Sequence, residues 1–154
     1  MMFVVQIKHF RRRIAAVGGG AALIAVLLLL TVGCQGKTPK QEPISAATNE
    51  ERLAYLTELG WQVESEPVET LNLQLPEDIS GEYADYIALQ DQQGLPFSQF
   101  GGKTVTRYTY TVTNYPDYSG PVQLDLYVCE DQIIGGDVVA TGEGGFLQGL
   151  TFPE

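Results

Sequence analysis

The chain of 154 residues has very few of the side chains that most hydrolases and metalloproteins use in their active sites. It contains a single histidine, His9, which lies close to the N-terminus and before the first long apolar run. The remainder of the chain therefore has no imidazole. This excludes the Ser-His-Asp and Cys-His arrangements there, and also every zinc site that is built on histidine.

Cysteine is almost as scarce, since the chain holds only Cys34 and Cys129. Two cysteines, one of them at the end of the apolar run, cannot provide a disulfide framework. The sequence also lacks a P-loop, a Gly-x-Gly-x-x-Gly preceded by a strand, an EF-hand loop and a His-Glu-x-x-His motif. We therefore predict no metal site and no cofactor. Carboxylate chemistry stays open because acids are plentiful.

Lysine and arginine are also rare in most of the chain. Residues 35–154 hold five lysines and arginines against all nineteen aspartates and glutamates of the chain, a balance of −14. A domain with this charge repels polyanions, so we predict that nucleic acid is not a partner. An envelope protein or a cationic ligand remains open as a partner. The sequence makes no prediction of the oligomeric state.

Against these absences stands one long apolar run. Residues 1–13 form a basic flank with Lys8 and Arg11–Arg13, and no charge occurs from Ile14 to Gly33. About 20 apolar residues suffice to cross the ~30 Å of bilayer hydrocarbon as a helix. Cations at one end keep that end in the cytoplasm. Residues 14–34 are therefore predicted to be a single-pass anchor in the plasma membrane, with the domain outside.

A second interpretation of the same segment is a bacterial lipoprotein signal that is cleaved before Cys34, which would then carry a lipid. Thr31-Val32-Gly33-Cys34 has the small residue that must precede such a cysteine, but it lacks the usual Leu, Val or Ile three positions upstream. The apolar run is also longer than a typical signal segment. Both interpretations tether the chain to a membrane.

Residues 35–47 are predicted to be a flexible linker, and residues 48–152 an extracytoplasmic domain. Thr48 and Glu51 form a capping box at the start of a helix that ends at Gly60. Trp61 follows and is predicted to lie in the core. A second helix is predicted over residues 79–93, strands over residues 68–75, 104–115, 122–129 and 132–140, and a glycine-rich tail over residues 142–149.

This order of elements predicts an α+β fold. Consecutive strands with short connections pair antiparallel, and two amphipathic helices need a sheet to cover. We expect a four-stranded, mostly antiparallel sheet with two helices packed on one face, preceded by the single membrane helix.

Three places are candidates for binding residues. Gly135-Gly136-Asp137 interrupts a strand, which indicates either a ligand approaching the backbone or a β-bulge. Asn114-Tyr115 stands at a strand end, where an asparagine also closes turns. Arg107 lies on a sheet face that is predicted to be solvated, where it can pair with Asp125 across the strands.

A set of short motifs spans most of residues 53–149 of the domain: Gly60-Trp61, Pro76, Tyr86, Gln90, Gln93-Gly94, Gly102-Lys103, Arg107-Tyr108-Thr109-Tyr110, Thr113-Asn114-Tyr115, Gly135-Gly136-Asp137 and Gly145-Phe146. Met2-Phe3-Val4-Val5 at the start of the chain belongs with them. Through these residues the chain resembles the family named domain of unknown function 4830. The resemblance implies a membrane-anchored envelope protein of clostridial Gram-positive bacteria, and it supplies no catalytic residue.

Two functions are compatible with these observations. The first is a non-catalytic binding or interaction module of the cell envelope. The second is a histidine-free hydrolase that uses two carboxylates on cell-wall glycan. A deep pocket with two carboxylates about 5 to 9 Å apart would favour the enzyme. A flat, exposed sheet with acids on its rim would favour the binding module.

Overall fold

The computed structural model describes residues 42–154. The predicted membrane helix, the candidate lipidation site Cys34 and most of the predicted linker lie outside the described residues. Within residues 42–154, no helix has the length and the apolar character needed to cross a membrane.

The described residues form one antiparallel sheet and two helices. The helices are α1 (Asn49–Glu58) and α2 (Ala84–Gln92), and two short 3₁₀ turns cover Gly81–Tyr83 and Phe97–Phe100. The strands are β1 (Ile44–Ser45), β2 (Glu69–Gln74), β3 (Thr104–Thr111), β4 (Val122–Cys129), β5 (Gln132–Ala140) and β6 (Phe146–Gln148). They are arranged in the order β1-β5-β4-β3-β2, and β6 pairs with β5 as well.

The prediction of a four-stranded sheet is wrong, because the sheet has six strands. The two additional strands, β1 and β6, have two and three residues and show no apolar alternation. They exist as strands because both pair with β5. β1 lies within the segment that was predicted to be linker, and β6 lies within the glycine-rich tail. Tertiary pairing defines such short strands, so their local sequence carries no signal for them.

The two helices also do not share a face of the sheet. On the face that we call the α1 face, the Arg52 guanidinium of α1 lies 3.7 Å above the Tyr108 ring and donates to the Tyr110 hydroxyl at 2.9 Å. On the opposite face, the α2 face, the Tyr86 hydroxyl of α2 donates to Asp137. Both faces of β4 and β5 are largely buried. Alternation along a strand therefore could not assign both helices to one face.

Several local predictions are confirmed. Thr48 and Glu51 form the capping box, with both of its hydrogen bonds present. Strands β4 and β5 have the predicted bounds. They are joined by Glu130-Asp131 with φ of 52° and 61°, the two left-handed residues of a type I′ hairpin turn. The second helix is shorter than predicted, because a 3₁₀ turn occupies its expected first turn.

Trp61 lies in the core as predicted, with 1% of its surface exposed. Its indole Nε1 donates to the carbonyl of Leu150 at 2.7 Å. The ring stacks on Tyr115 and meets Phe152 edge-on. Trp61 therefore joins α1, the α1 face and the C-terminal segment that follows β6.

Candidate functional site

A row of polar side chains crosses the α2 face of the sheet. Thr109, Asp125 and Asp137 are direct cross-strand neighbours on β3, β4 and β5. The two aspartates are 8% and 3% exposed. Like charges directly opposite each other on antiparallel strands repel. The sheet therefore holds a buried carboxylate pair whose charges must be compensated by their surroundings.

Asp125 is compensated from β3. The Thr109 hydroxyl donates to Asp125 Oδ1, and Arg107 Nε lies 3.9 Å from the same oxygen. The predicted pair of Arg107 with Asp125 is therefore present. Arg107 also forms an ion pair with Glu69 of β2, which was not predicted. Burial raises the pKa of Asp125, while Thr109 and Arg107 act in the opposite direction.

Asp137 is compensated from α2. The Tyr86 hydroxyl donates to Asp137 Oδ2 at 2.6 Å. Burial, with a further contribution from the Asp125 carboxylate, raises the pKa of Asp137 to about 6, although Tyr86 and Arg107 lower it. Burial and the Asp137 carboxylate in turn raise the pKa of both Tyr86 and Tyr127.

Aromatic rings surround this end of the polar row. Tyr86, Phe97 and Tyr127 meet edge-to-face, with ring centroids 5.3 to 6.2 Å apart. A carboxyl group with a pKa near 6 has the acidity of a general acid at neutral pH. A glycan hydrolase, however, needs a cleft that brings the sugar between its carboxyl groups. The small exposed fractions of Asp125 and Asp137 show instead that the protein encloses both carboxyl groups.

The predicted glycines Gly135 and Gly136 lie beside this cluster. The pairing of β4 with β5 shifts register at this point, so the predicted bulge is present. A Cβ atom on Gly135 would stand 2.6 Å from the Phe97 ring, and one on Gly136 would stand 2.7 Å from Leu150. The close backbone approach is therefore made by the chain's own side chains. A ligand-binding role for these glycines stays a prediction.

Asn114 and Tyr115 lie elsewhere, in contact with the segment that follows α1. The Asn114 side chain accepts from the Gln62 amide and donates to the Gly60 carbonyl, both at 2.9 Å. Tyr115 stacks on Trp61 and on Phe146. The structure thus brings Arg107 and Asp137 into one polar row with the glycines beside it, and places Asn114 and Tyr115 in a separate aromatic cluster.

Cys129 lies on the α2 face and is 5% exposed. Its thiol donates to the Thr104 carbonyl at 3.5 Å. Burial, together with the neighbouring Glu130, raises the thiol pKa. A buried thiol with a raised pKa is a poor nucleophile, so this cysteine is a packing residue.

An open cleft of about 400 Å³ lies at the C-terminal end of α2. Its lining contains amides, a hydroxyl and one aliphatic side chain, and no ionisable group: Leu89, Gln92, Gln93, Gln148, Gly149 and Thr151. It therefore offers hydrogen bonds and no acid–base chemistry. In the part of the chain that the structure covers, no group of three or more His, Cys, Asp or Glu side chains is placed to hold a metal ion.

The sequence did not predict two side chains that bind this cluster, namely Glu69, which pairs with Arg107, and Tyr86, which donates to Asp137. It named Asp125 as a partner of Arg107 but did not predict that Asp125 is buried. Asp125 was assigned to a solvated face because it alternates with apolar residues on β4. The signal that could have found the carboxylate pair is the combination of the Glu130-Asp131 hairpin with a bulge just before Gly135, where Ile134 is the extra residue. Without the bulge Asp125 would oppose Gly136, and with it Asp125 opposes Asp137.

Comparison with known protein families gives one match. Residues 55–138, more than half of the chain, match the family described as domain of unknown function (DUF4830). The chain belongs to this family, and the resemblance stated from the sequence is confirmed. No curated protein and no solved structure shows a significant match to the chain.

Proposed function

We propose that this protein is a non-catalytic interaction module that its N-terminal segment holds at the outer face of the plasma membrane. The tether is supported by the basic flank of residues 1–13 and the uncharged run of residues 14–33. The tether is either a transmembrane helix or a lipid on Cys34. The described residues supply the argument for interaction rather than catalysis.

The observation that carries this argument is the contrast between the buried acids and the exposed surface. Asp125 and Asp137 are buried and are each bound by a hydroxyl group of the chain itself. Large apolar side chains, in contrast, are exposed on the sheet and its flanks: Val68, Leu71, Tyr83 and Leu147. Covering such side chains with another macromolecule removes their apolar surface from water, which favours association.

The tether is tested by adding protease to intact protoplasts that express the full chain. The domain should be digested, because the basic flank keeps the N-terminus inside. Protection of the domain would overturn the proposed orientation. The variant Cys34→Ser separates the two tethers, since it abolishes incorporation of labelled fatty acid only if Cys34 is lipidated.

The interaction role is tested by photo-crosslinking in the same cells. A benzophenone side chain is placed in the full chain at Leu71, Tyr83 or Leu147, and at the exposed Ala88 of α2 as a control. A discrete, light-dependent adduct at one of the three positions, absent at Ala88, is the expected result. The absence of any adduct at all three would overturn the proposal.

A second candidate function, a hydrolase acting on glycan, is favoured by one observation. The Asp137 carboxyl has a pKa of about 6 and lies directly opposite a second carboxylate. If the full chain releases reducing sugar from purified cell wall, and both Asp137→Asn and Asp125→Asn abolish the release in folded protein, the protein is an enzyme. We expect no release.

A further inference from the structure

Strand β2 has one edge that pairs with no other element of residues 42–154. The hydrogen bonds between neighbouring strands show which N–H and C=O groups of β2 point toward β3 and which point away from it. The Leu75 amide donates to the Lys103 carbonyl, and the Val112 amide donates to the Val122 carbonyl, both at 2.9 Å. Odd-numbered residues of β3 therefore bond to β2, and even-numbered residues bond to β4.

The same alternation fixes the outer edge of β2. Its odd-numbered residues bond to β3, so the N–H and C=O groups of Thr70, Asn72 and Gln74 point away from the sheet. Natural sheets usually protect such an edge with charged side chains, lysine above all, with proline or with a covering segment. Glu69–Gln74 contains neither lysine nor proline, and its single charged side chain, Glu69, stands at the start of the strand and is paired with Arg107. The edge is therefore ready to pair with another extended chain.

The side chains along this edge favour an apolar, extended ligand. Val68 is 58% exposed and Leu71 is 43% exposed. In strand addition the backbone hydrogen bonds provide affinity, and contacts with alternate side chains provide specificity. Leu71 lies on the α2 face beside Arg107, where it can contact alternate residues of an added strand.

The charges around the edge determine which partner fits. Exposed acids precede the strand at Glu64 and Glu66 and follow it at Glu77 and Asp78. The neighbouring cation Arg107 is already paired with Glu69. A basic segment complements this surface at both ends. A second copy of the chain does not, because antiparallel pairing of two β2 strands would bring the acids at the start of one strand against those at the end of the other.

We propose that the outer edge of β2 binds an extended segment of a partner protein in which apolar residues alternate with lysine or arginine. The segment adds a strand to the sheet through Thr70, Asn72 and Gln74. This inference rests on the proposed interaction role and names its site and the chemistry of its partner.

The probe is a labelled synthetic peptide of alternating lysine and valine or isoleucine residues, titrated into the full chain in detergent micelles at low salt. Two control peptides isolate the two contributions. One replaces every lysine by glutamate. The other keeps all side chains but carries N-methyl groups on alternate backbone nitrogens. We expect both controls to bind at least about tenfold more weakly, because one loses charge complementarity and the other loses the ladder hydrogen bonds.

Matched variants locate the site on the protein. Thr70→Pro removes an outward N–H that makes no bond to β3, whereas Thr70→Val keeps that N–H. Thr70→Pro and the double change Glu64→Lys with Glu66→Lys are expected to weaken peptide binding by about tenfold or more, and Thr70→Val to bind like the parent. The near-ultraviolet circular dichroism of Trp61 verifies that each variant is folded.

Amide hydrogen exchange gives a readout that needs no variant. Exchange at Thr70, Asn72 and Gln74 should slow when the peptide binds. The inference is overturned if the peptide does not bind, if folded Thr70→Pro binds it unchanged, or if the protected amides lie elsewhere. If one of these results is obtained but the photo-crosslinking experiment gives an adduct at Tyr83 or Leu147, the proposed interaction role is retained. Only the assignment of β2 as its site is then wrong.

Discussion

The two edges of the sheet are built in opposite ways. Along β2 the outward backbone groups have no partner within the described residues. Along β5 every stretch of the outer edge is occupied. Its first part pairs with β1, and the Ala46 amide extends that pairing to Asp131. Its last part pairs with β6.

Between β1 and β6 a side chain takes the place of a strand. Gln90 Nε2 donates to the Gly136 carbonyl at 3.1 Å, and the Gly136 amide donates to Gln90 Oε1 at 2.9 Å. Gln93 donates to the same carbonyl and accepts from the Leu150 amide. Gln90 is completely buried. A buried amide is costly unless it is hydrogen-bonded, and here both ends of the amide are.

The comparison indicates where the chain tolerates unpaired backbone groups. The β5 edge lies under α2 and the C-terminal segment, so its unpaired groups would be buried. The β2 edge is exposed, so water can satisfy its groups. The closed edge therefore contributes to stability, and the open edge costs the protein no buried, unpaired backbone group.

The largest effect is expected from Trp61→Ala. Its indole holds the Leu150 carbonyl and thereby the segment that carries β6 along the closed edge. Replacement of a buried aromatic residue by alanine costs about 3 to 5 kcal/mol. Domains of this size have a total stability of about 5 to 15 kcal/mol. Urea unfolding of the full chain in micelles should therefore show a strongly destabilised protein, and a midpoint equal to that of the parent would contradict the core assignment.

The next effect is expected from Gln90→Leu, which keeps most of the side-chain volume but removes the amide. The Gly136 N–H and C=O then lose the partner that closes the edge. Gln93 still donates to the carbonyl, so only the Gly136 N–H is left without a partner. A buried group left unsatisfied costs about 1 to 3 kcal/mol, and a loss of that size is expected. The matched control Gln92→Leu, on an exposed position of the same helix, should change stability by less than about 0.5 kcal/mol.

Thermal denaturation measures both variants side by side. If Gln90→Leu and Gln92→Leu melted at the same temperature, the amide would not be what closes the β5 edge.

A third prediction concerns the pH dependence of stability. It follows from the raised pKa of Asp137, which lies next to Gly136 on the closed side of the sheet. The pKa of Asp137 is about 6 in the folded protein and 3.8 ordinarily, so the folded state binds the proton more tightly than the unfolded state. Stability from this group is therefore highest below about pH 4 and falls as the pH rises through 6. The difference corresponds to about 3 kcal/mol at most.

Asp137→Asn should remove this fall, while its side-chain oxygen can still accept from Tyr86. The groups that face it are Asp125, Tyr86, Tyr127 and Arg107. The free energy of unfolding is measured between pH 4 and 7.5. Parent and variant should have similar values near pH 4, and the variant should be the more stable of the two near pH 7.5. Asp91→Asn, an exposed change on α2, measures the general effect of losing one acid. Parallel profiles for parent and Asp137→Asn would contradict the prediction.

The elements that close the β5 edge are also the ones that the sequence did not predict. β2, β3 and β4 were predictable because their side chains alternate, and Glu130-Asp131 marked the hairpin that leads into β5. β1 and β6 were not, since they are strands only by virtue of pairing with β5. Gln90 carried no signal, because a glutamine on a helix is ordinarily solvated. In the polar row, Arg107 and Asp137 were identified, but the bulge that sets Asp137 opposite Asp125 requires the observed register.

The smallest effect is expected at the open edge. The N–H of Thr70 points outward, so Thr70→Pro removes no bond to β3, and proline is compatible with an edge strand at such a position. We expect stability to change by less than about 1 kcal/mol. The adjacent variant Leu71→Pro is the matched comparison, because the Leu71 N–H belongs to the ladder with Arg107 and its loss should cost several times more. Urea unfolding of both variants distinguishes the two positions. Equal losses would mean that the outer edge of β2 is not free, and the comparison between the two edges would then fail.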